Sequence, residues 1–153
     1  MTSVRTTALA LAIALVMGVH PITASDPTTF VSGDATRAAF AKGQPLVETD
    51  RYKVHASRRE TPGLAEIHVR DTDILYVLDG TATIVTGGEA VGPKPIGPDE
   101  LRGSAIAGGA VRQLARGDVL VIPNGVPHQF TAVDGPFLYY VVKVTALADG
   151  GSR

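Results

Sequence analysis

The stretch that decides the fold is "GDVLVIPNGVPHQF", Gly117 to Phe130. An apolar strand runs into a Pro-Asn-Gly turn and a second proline, and His128 then opens another strand. Pro123 and Pro127 stiffen the turn, and Gly125 can take a positive φ at small cost, so His128 is held in place before any ligand arrives. A solitary histidine at a strand edge is ordinarily satisfied by hydrogen bonds alone. Its function depends on what else the chain brings to it.

A second stretch supplies candidates: "AEIHVRDTDILYVLDG", Ala65 to Gly80. Glu66 and His68 are two apart on an apolar-flanked strand, so both side chains leave on one face. Asp73 has the wrong parity for a continuous strand. The intervening "VRDT" is polar and turn-like, however, so Asp73 is expected to open the next antiparallel strand and return to the same face. Leu75 and Val77 share that face as an apolar wall, while Tyr76 points away. Taken alone, such a trio reads as solvated surface charge as readily as a ligand set.

Outward from these stretches the pattern is strands punctuated by turns: "YKVHASR", "TATIVTGG", "VRQLARGD", "HQFTAV" and "FLYYVVKV". Short, closely spaced strands rich in Val, Ile, Thr and Tyr predict an all-β sandwich or small barrel. One helix is expected across "GDATRAAFAKG", capped by Ser32, with Asp34 in its first turn, Lys42 in its last and Gly43 as terminator. The segment Gly87 to Gly109, rich in glycine and proline, has no apolar period. It reads as a long loop with at most a short hairpin, and as a candidate lid.

The chain of 153 residues, 44% hydrophobic and 19% charged, suits one globular domain. A formal charge of −1 with interspersed signs gives no footprint for nucleic acid or an anionic membrane. Without cysteine, any metal must be held by nitrogen and oxygen. The opening "MTSVRTTALALAIALVMGVHPITAS" has one charge at Arg5, an apolar core too short to span a bilayer comfortably, and small residues at Thr23, Ala24 and Ser25. It reads as a secretory signal, 1–24. An N-terminal extension with the helix (25–51), a barrel (52–146) and a flexible tail (147–153) are expected to follow, in a periplasmic or secreted protein with no membrane attachment after cleavage.

Together the two stretches resemble the paired motifs of the cupin superfamily. Gly117, Pro123, Gly125 and His128 match the spacing of the second motif, with Ala132 where its closing asparagine is usual. In the first motif His68, Asp73 and Gly80 fit, while Glu66 replaces the leading histidine, Asp73 replaces a glutamate, and Gly63 stands three residues late as the leading glycine. The resemblance implies a single-domain double-stranded β-helix, the jelly-roll or cupin barrel. One divalent ion would sit inside it, held by Glu66, His68, Asp73 and His128. Two carboxylates inside a barrel repel, and without a cation one would tend to hold a proton.

Two imidazoles and two carboxylates suit zinc, iron or manganese and leave open positions on an octahedral ion; export tilts the choice towards zinc, because the affinity order then acts outside the cytoplasm. The expected function is a metal-dependent enzyme acting on a small oxygen-rich molecule by inner-sphere coordination, as isomerase, lyase, hydrolase or dioxygenase. The alternative is a non-catalytic small-ligand binding or sensing module. The expected partner is thus a small-molecule substrate or ligand, with no nucleic acid; a homodimer is a possible assembly. His55, on the strand before the site, is the candidate general base, or else a half-exposed strand histidine. Of Arg58 and Arg59 at most one can meet an anionic substrate, since adjacent strand residues face opposite sides, and solvation is the plainer reading of both. Tyr139 and Tyr140 likewise cannot both point inward. Glu100 and Arg102 could fold over the mouth, but a solvated loop pair is the plainer expectation.

Overall fold

The computed structural model describes residues 27–147. The expected signal, 1–24, and all of the expected tail except Leu147 lie outside the described residues. Helix α1, Gly33–Lys42, forms as its caps dictate: the Ser32 hydroxyl accepts from the Ala35 amide at 3.2 Å, and Gly43 closes the helix in the left-handed conformation at φ 66°. Eleven strands follow: β1 Gln44–Glu48, β2 Tyr52–Arg59, β3 Ala65–His68, β4 Asp71–Thr86, β5 Glu89–Ala90, β6 Lys94–Gly97, β7 Glu100–Gly103, β8 Ile106–Ala107, β9 Ala110–Leu114, β10 Val119–Ile122 and β11 His128–Thr145. Among the described residues no helix is long and apolar enough to cross a membrane.

The two long strands organise the barrel. β4 and β11 pair antiparallel along most of their lengths, with register breaks between Phe130 and Ala132 and on either side of Leu138. Their first and second halves bind different neighbours. β4 takes β10 on its first half and β9 on its second, while β11 takes β3 at His128 and β2 from Phe137 onward. Strands that change partners midway must bend. Gly80 allows this in β4 with φ 77°, at a point where an added Cβ would lie 2.8 Å from the Pro136 carbonyl oxygen. The result is an all-β double-stranded helix of antiparallel strands.

Alternation sets the interior. Asp73, Leu75 and Val77 of β4 are buried while Ile74 and Tyr76 are exposed. Phe130, Phe137 and Tyr139 cluster with ring centroids 5.1–5.7 Å apart, and Ile84 and Phe137 are fully enclosed. Burying side chains of this size contributes about 1.5–3 kcal/mol each. On the outside, Phe40 of α1 meets Tyr140 edge-on at 4.9 Å, which fixes Tyr140 outward and Tyr139 inward.

Two segments depart from the sequence reading. Gln44–Glu48, inside the expected N-terminal extension with its helix, pairs with β2 as an edge strand. The glycine-rich 87–109 segment is not one free loop. β6 and β7 form a hairpin whose second strand pairs with β3, and β5 pairs with β8. Backbone hydrogen bonds, which leave no apolar period behind, hold this segment to the barrel.

Candidate metal centre

His68, Glu66 and His128 converge because their strands are adjacent. β3 places Glu66 and His68 on one face, and His128, the first residue of β11, lies directly opposite Glu66. The turn that precedes His128 is anchored by the Gly125 amide donating to the His68 carbonyl at 2.8 Å. The loop that presents one imidazole is thus tied to the strand that presents the other, and the two rings lie 5.2 Å apart. Among the described residues, these three form the one group of metal-ligating types whose donor atoms all lie within 4.8 Å of one another.

The protonation states suit coordination. His128 Nδ1–H donates to the Val126 carbonyl at 3.2 Å, which leaves the lone pair on Nε2. That nitrogen is 3.9 Å from Glu66 Oε2. His68 Nε2 is 3.7 Å from the same oxygen, and it is buried with no hydrogen-bond partner. Burial pushes both imidazoles below the ordinary histidine value; the Lys143 charge adds to this, against the pull of the nearby carboxylates and, at His128, of the Val126 bond. Both are neutral at pH 7, the form that binds metal.

Glu66 divides its two oxygens. Oε2 faces the imidazoles, while Oε1 accepts from Arg102 at 2.6 Å and lies 3.5 Å from Arg59. Burial acts to raise its pKa, but the Arg102 bond and charge, with help from His128 and Arg59, hold it below the ordinary range. Asp73 lines the same cavity, 3.5 Å from His68 Nε2, but lies outside the compact trio. Both its oxygens accept from Lys143 Nζ at 2.7 Å, a bond prepared by the cross-strand pairing of Asp73 with Lys143. The two carboxylates therefore have cation partners within the protein. At Glu66, Arg102 favours the ionised form even without a metal.

Arg102 and Glu100 are the residues that sequence reasoning placed in solvent. The β3–β7 register sets Glu66 opposite Arg102 and His68 opposite Glu100. Arg102 bridges Glu66 and Glu100, and Glu100 Oε1 stands 3.9 Å from His68 Nδ1. Polar residues two apart in "ELR", the same spacing that puts Glu66 and His68 of "EIH" on one face, were the available signal.

Beside the trio is a cavity of about 130 Å³ lined by His55, Ser57, Arg59, Glu66, Tyr139 and Lys143, among others. His55 Nε2 lies 3.1 Å from Glu48 Oε1, so the carboxylate of the unforeseen β1 orients this ring. Arg59 faces inward; Arg58 turns outward to Glu60.

Donors around one ion with bonds of about 2.1 Å stand about 3–3.5 Å apart. The spacings from Glu66 Oε2, 3.7 and 3.9 Å, are within small side-chain adjustments of that. With neutral imidazoles, an ionised carboxylate and an unpartnered buried nitrogen, the trio fits a divalent ion.

This double-stranded antiparallel barrel defines a class, and the comparisons agree. A family model described as Cupin matches residues 52–149. The chain belongs to the cupin family. Its fold resembles the BH2720 protein of Bacillus halodurans, with TM-score 0.58 and 18% identity over 86% of this chain and 92% of that one. It also resembles hydroquinone 1,2-dioxygenase from Sphingomonas sp. TTNP3, whose structure has 4-hydroxybenzoate bound, with TM-score 0.52 and 15% identity over 69% of this chain and 66% of that one. No curated protein matches the chain.

Proposed function

We propose that the protein is a metal-dependent cupin enzyme, exported to the periplasm or beyond, that acts on a small oxygen-rich organic molecule by direct coordination. The observation that carries this reading is the buried, unpartnered His68 Nε2, set 3.7 Å from the free oxygen of Glu66. A buried polar atom without a partner is costly unless something else occupies it. Glu66, His68 and His128 would hold the ion, with Asp73 beside them. When bound, a divalent ion supplies Lewis-acid polarisation of a substrate oxygen or activation of water or dioxygen.

The chain's own residues supply the rest. Arg102 keeps Glu66 ionised and fixes one of its oxygens, leaving the other for the ion. Lys143, held by Asp73, presents a fixed positive charge on the cavity wall. His55, with Nε2–H donating to Glu48, has its Nδ1 lone pair available to accept a proton. Leu75, Ile122 and Val141 exclude water from the inner wall.

Elemental analysis of protein purified from its exported fraction tests the reading. Stoichiometric zinc, iron or manganese, lost in His128→Ala, is expected. Mass spectrometry of that protein should give a new amino terminus near Ser25 or Asp26. One observation favours a second reading, a metal-free ligand-binding barrel: Arg102 and Lys143 already neutralise Glu66 and Asp73. Absence of metal, with melting unchanged by chelation, would select it.

A further inference from the structure

Arg59 keeps a donor that the protein leaves unused. Its side chain, 23% exposed, enters the cavity from β2. Nε is buried without a hydrogen-bond partner. Nη2 reaches Glu66 Oε1 only at 3.5 Å, and that oxygen is already taken by Arg102 at 2.6 Å. The guanidinium lies 4.6 Å from the centre of the Phe130 ring, a flat platform that fixes its plane. The Tyr139 hydroxyl stands beside Arg59 and Ser57. Gly63 completes the seat. A Cβ there would come within 2.6 Å of Arg59 Nη1, and Gly63 is pinned by its amide to the Phe130 carbonyl and by its carbonyl to Gln129 Nε2, each at 3.0 Å. A planar donor fork, immobilised and partly unsatisfied beside a small cavity, matches a carboxylate.

Charge points the same way. On the cavity wall Arg59 and Lys143 face Glu66 and Asp73, an even balance. A divalent ion on the trio would leave the pocket doubly positive, and an anionic ligand restores the balance. Size sets the scale: a buried cavity of about 150 Å³ holds benzene, and this one measures about 130 Å³.

We propose that the ligand is a small organic carboxylate, no larger than benzoate, whose carboxylate is bound by Arg59 while the rest of the molecule extends towards Glu66, His68 and His128. This rests on the cavity being the substrate site proposed above, but a carboxylate can bind Arg59 whether or not the trio holds metal.

The test is calorimetric titration of the mature protein with two acid and amide pairs, benzoate with benzamide and lactate with lactamide, with metal content measured on every sample. At least one acid should bind at least tenfold more tightly than its amide. Arg59→Gln should lower that acid's affinity at least tenfold, leaving amide affinity and metal content unchanged. Gly63→Ala retains the charge but occupies the guanidinium's place, and it should also weaken the acid; an intact near-ultraviolet circular dichroism spectrum would show that the fold survives. Acids and amides binding alike, no acid binding, or unchanged affinity in Arg59→Gln would overturn the proposal. An acid preference in protein devoid of metal would sink the metal reading alone; metal without acid preference would sink only this one.

Discussion

Arg102 stands directly across from Glu66 in the β3–β7 pair, with Nη1 2.6 Å from Oε1. The same arginine bridges to Glu100, so a strand from the glycine-rich segment sets the ionisation and orientation of a residue in the metal trio. Arg102→Met should therefore act in two ways. It should destabilise the fold by about 1–2 kcal/mol in urea unfolding, a charged hydrogen bond discounted for partial exposure. It should also weaken metal binding about 10- to 100-fold, the usual effect of losing a partner that orients a ligand. Unchanged metal affinity would mean that Arg102 does not orient Glu66 towards the ion.

The histidines give the metal-free protein a pH dependence of defined sign. Both are held below 6.5 in the fold, chiefly by burial. Between their lowered folded values and 6.5 the unfolded chain binds more protons, so stability rises with pH through that window and falls on acidification through it. The limiting slope is about 1.4 kcal/mol per pH unit for each histidine. Urea unfolding of chelated protein across this range should show it, and His68→Gln should flatten it. Glu66 acts in a separate, lower window: its contribution is present above 4.5 and is lost as pH falls through its lowered folded value.

What the sequence made legible follows from range. The jelly roll and the convergence of Glu66, His68 and His128 rest on local rules, namely parity within "EIH" and the stiff "PNGVPH" turn, and both stretches announce themselves. The inward turn of Asp73 was equally local. Its Lys143 partner lies 70 residues away, and no local pattern marks that pairing. Arg102 was missed for a related reason. β7 carries no apolar alternation, and its place is set by backbone pairing to β3. The oriented His55 depends on Glu48, from a strand whose sequence, "QPLVE", contains a proline and gave no reason to expect pairing.

The two carboxylates should separate on substitution. Glu66→Gln removes a donor whose free oxygen faces both imidazoles, and should abolish stoichiometric metal while costing about 1 kcal/mol of folding stability, as the charged bond to Arg102 becomes a neutral one. Asp73→Asn leaves Lys143, a cation with a side chain 14% exposed, without its carboxylate. That should cost about 3 kcal/mol of stability while metal is retained, because Asp73 lies outside the trio. Inductively coupled plasma mass spectrometry alongside urea unfolding checks both halves. Equal loss of metal in the two variants would make Asp73 a fourth ligand and require Lys143 to release it.

The last expectation concerns His55, which lines the cavity without belonging to the trio. If it moves a proton during turnover, His55→Ala should leave metal content unchanged, lower kcat about 100-fold and barely change KM, within the range that general acid–base catalysis contributes. Glu48→Gln offers a finer probe. It keeps a hydrogen-bond acceptor for Nε2–H but replaces a charged bond with a weaker neutral one, so it should lower kcat less than His55→Ala does and leave metal content unchanged. A purely structural His55 would instead show a fall in melting temperature with kcat unaltered. Because the Glu48 side chain is more than half exposed, its substitution should cost little stability, and the change in kcat then reports on how the imidazole is held.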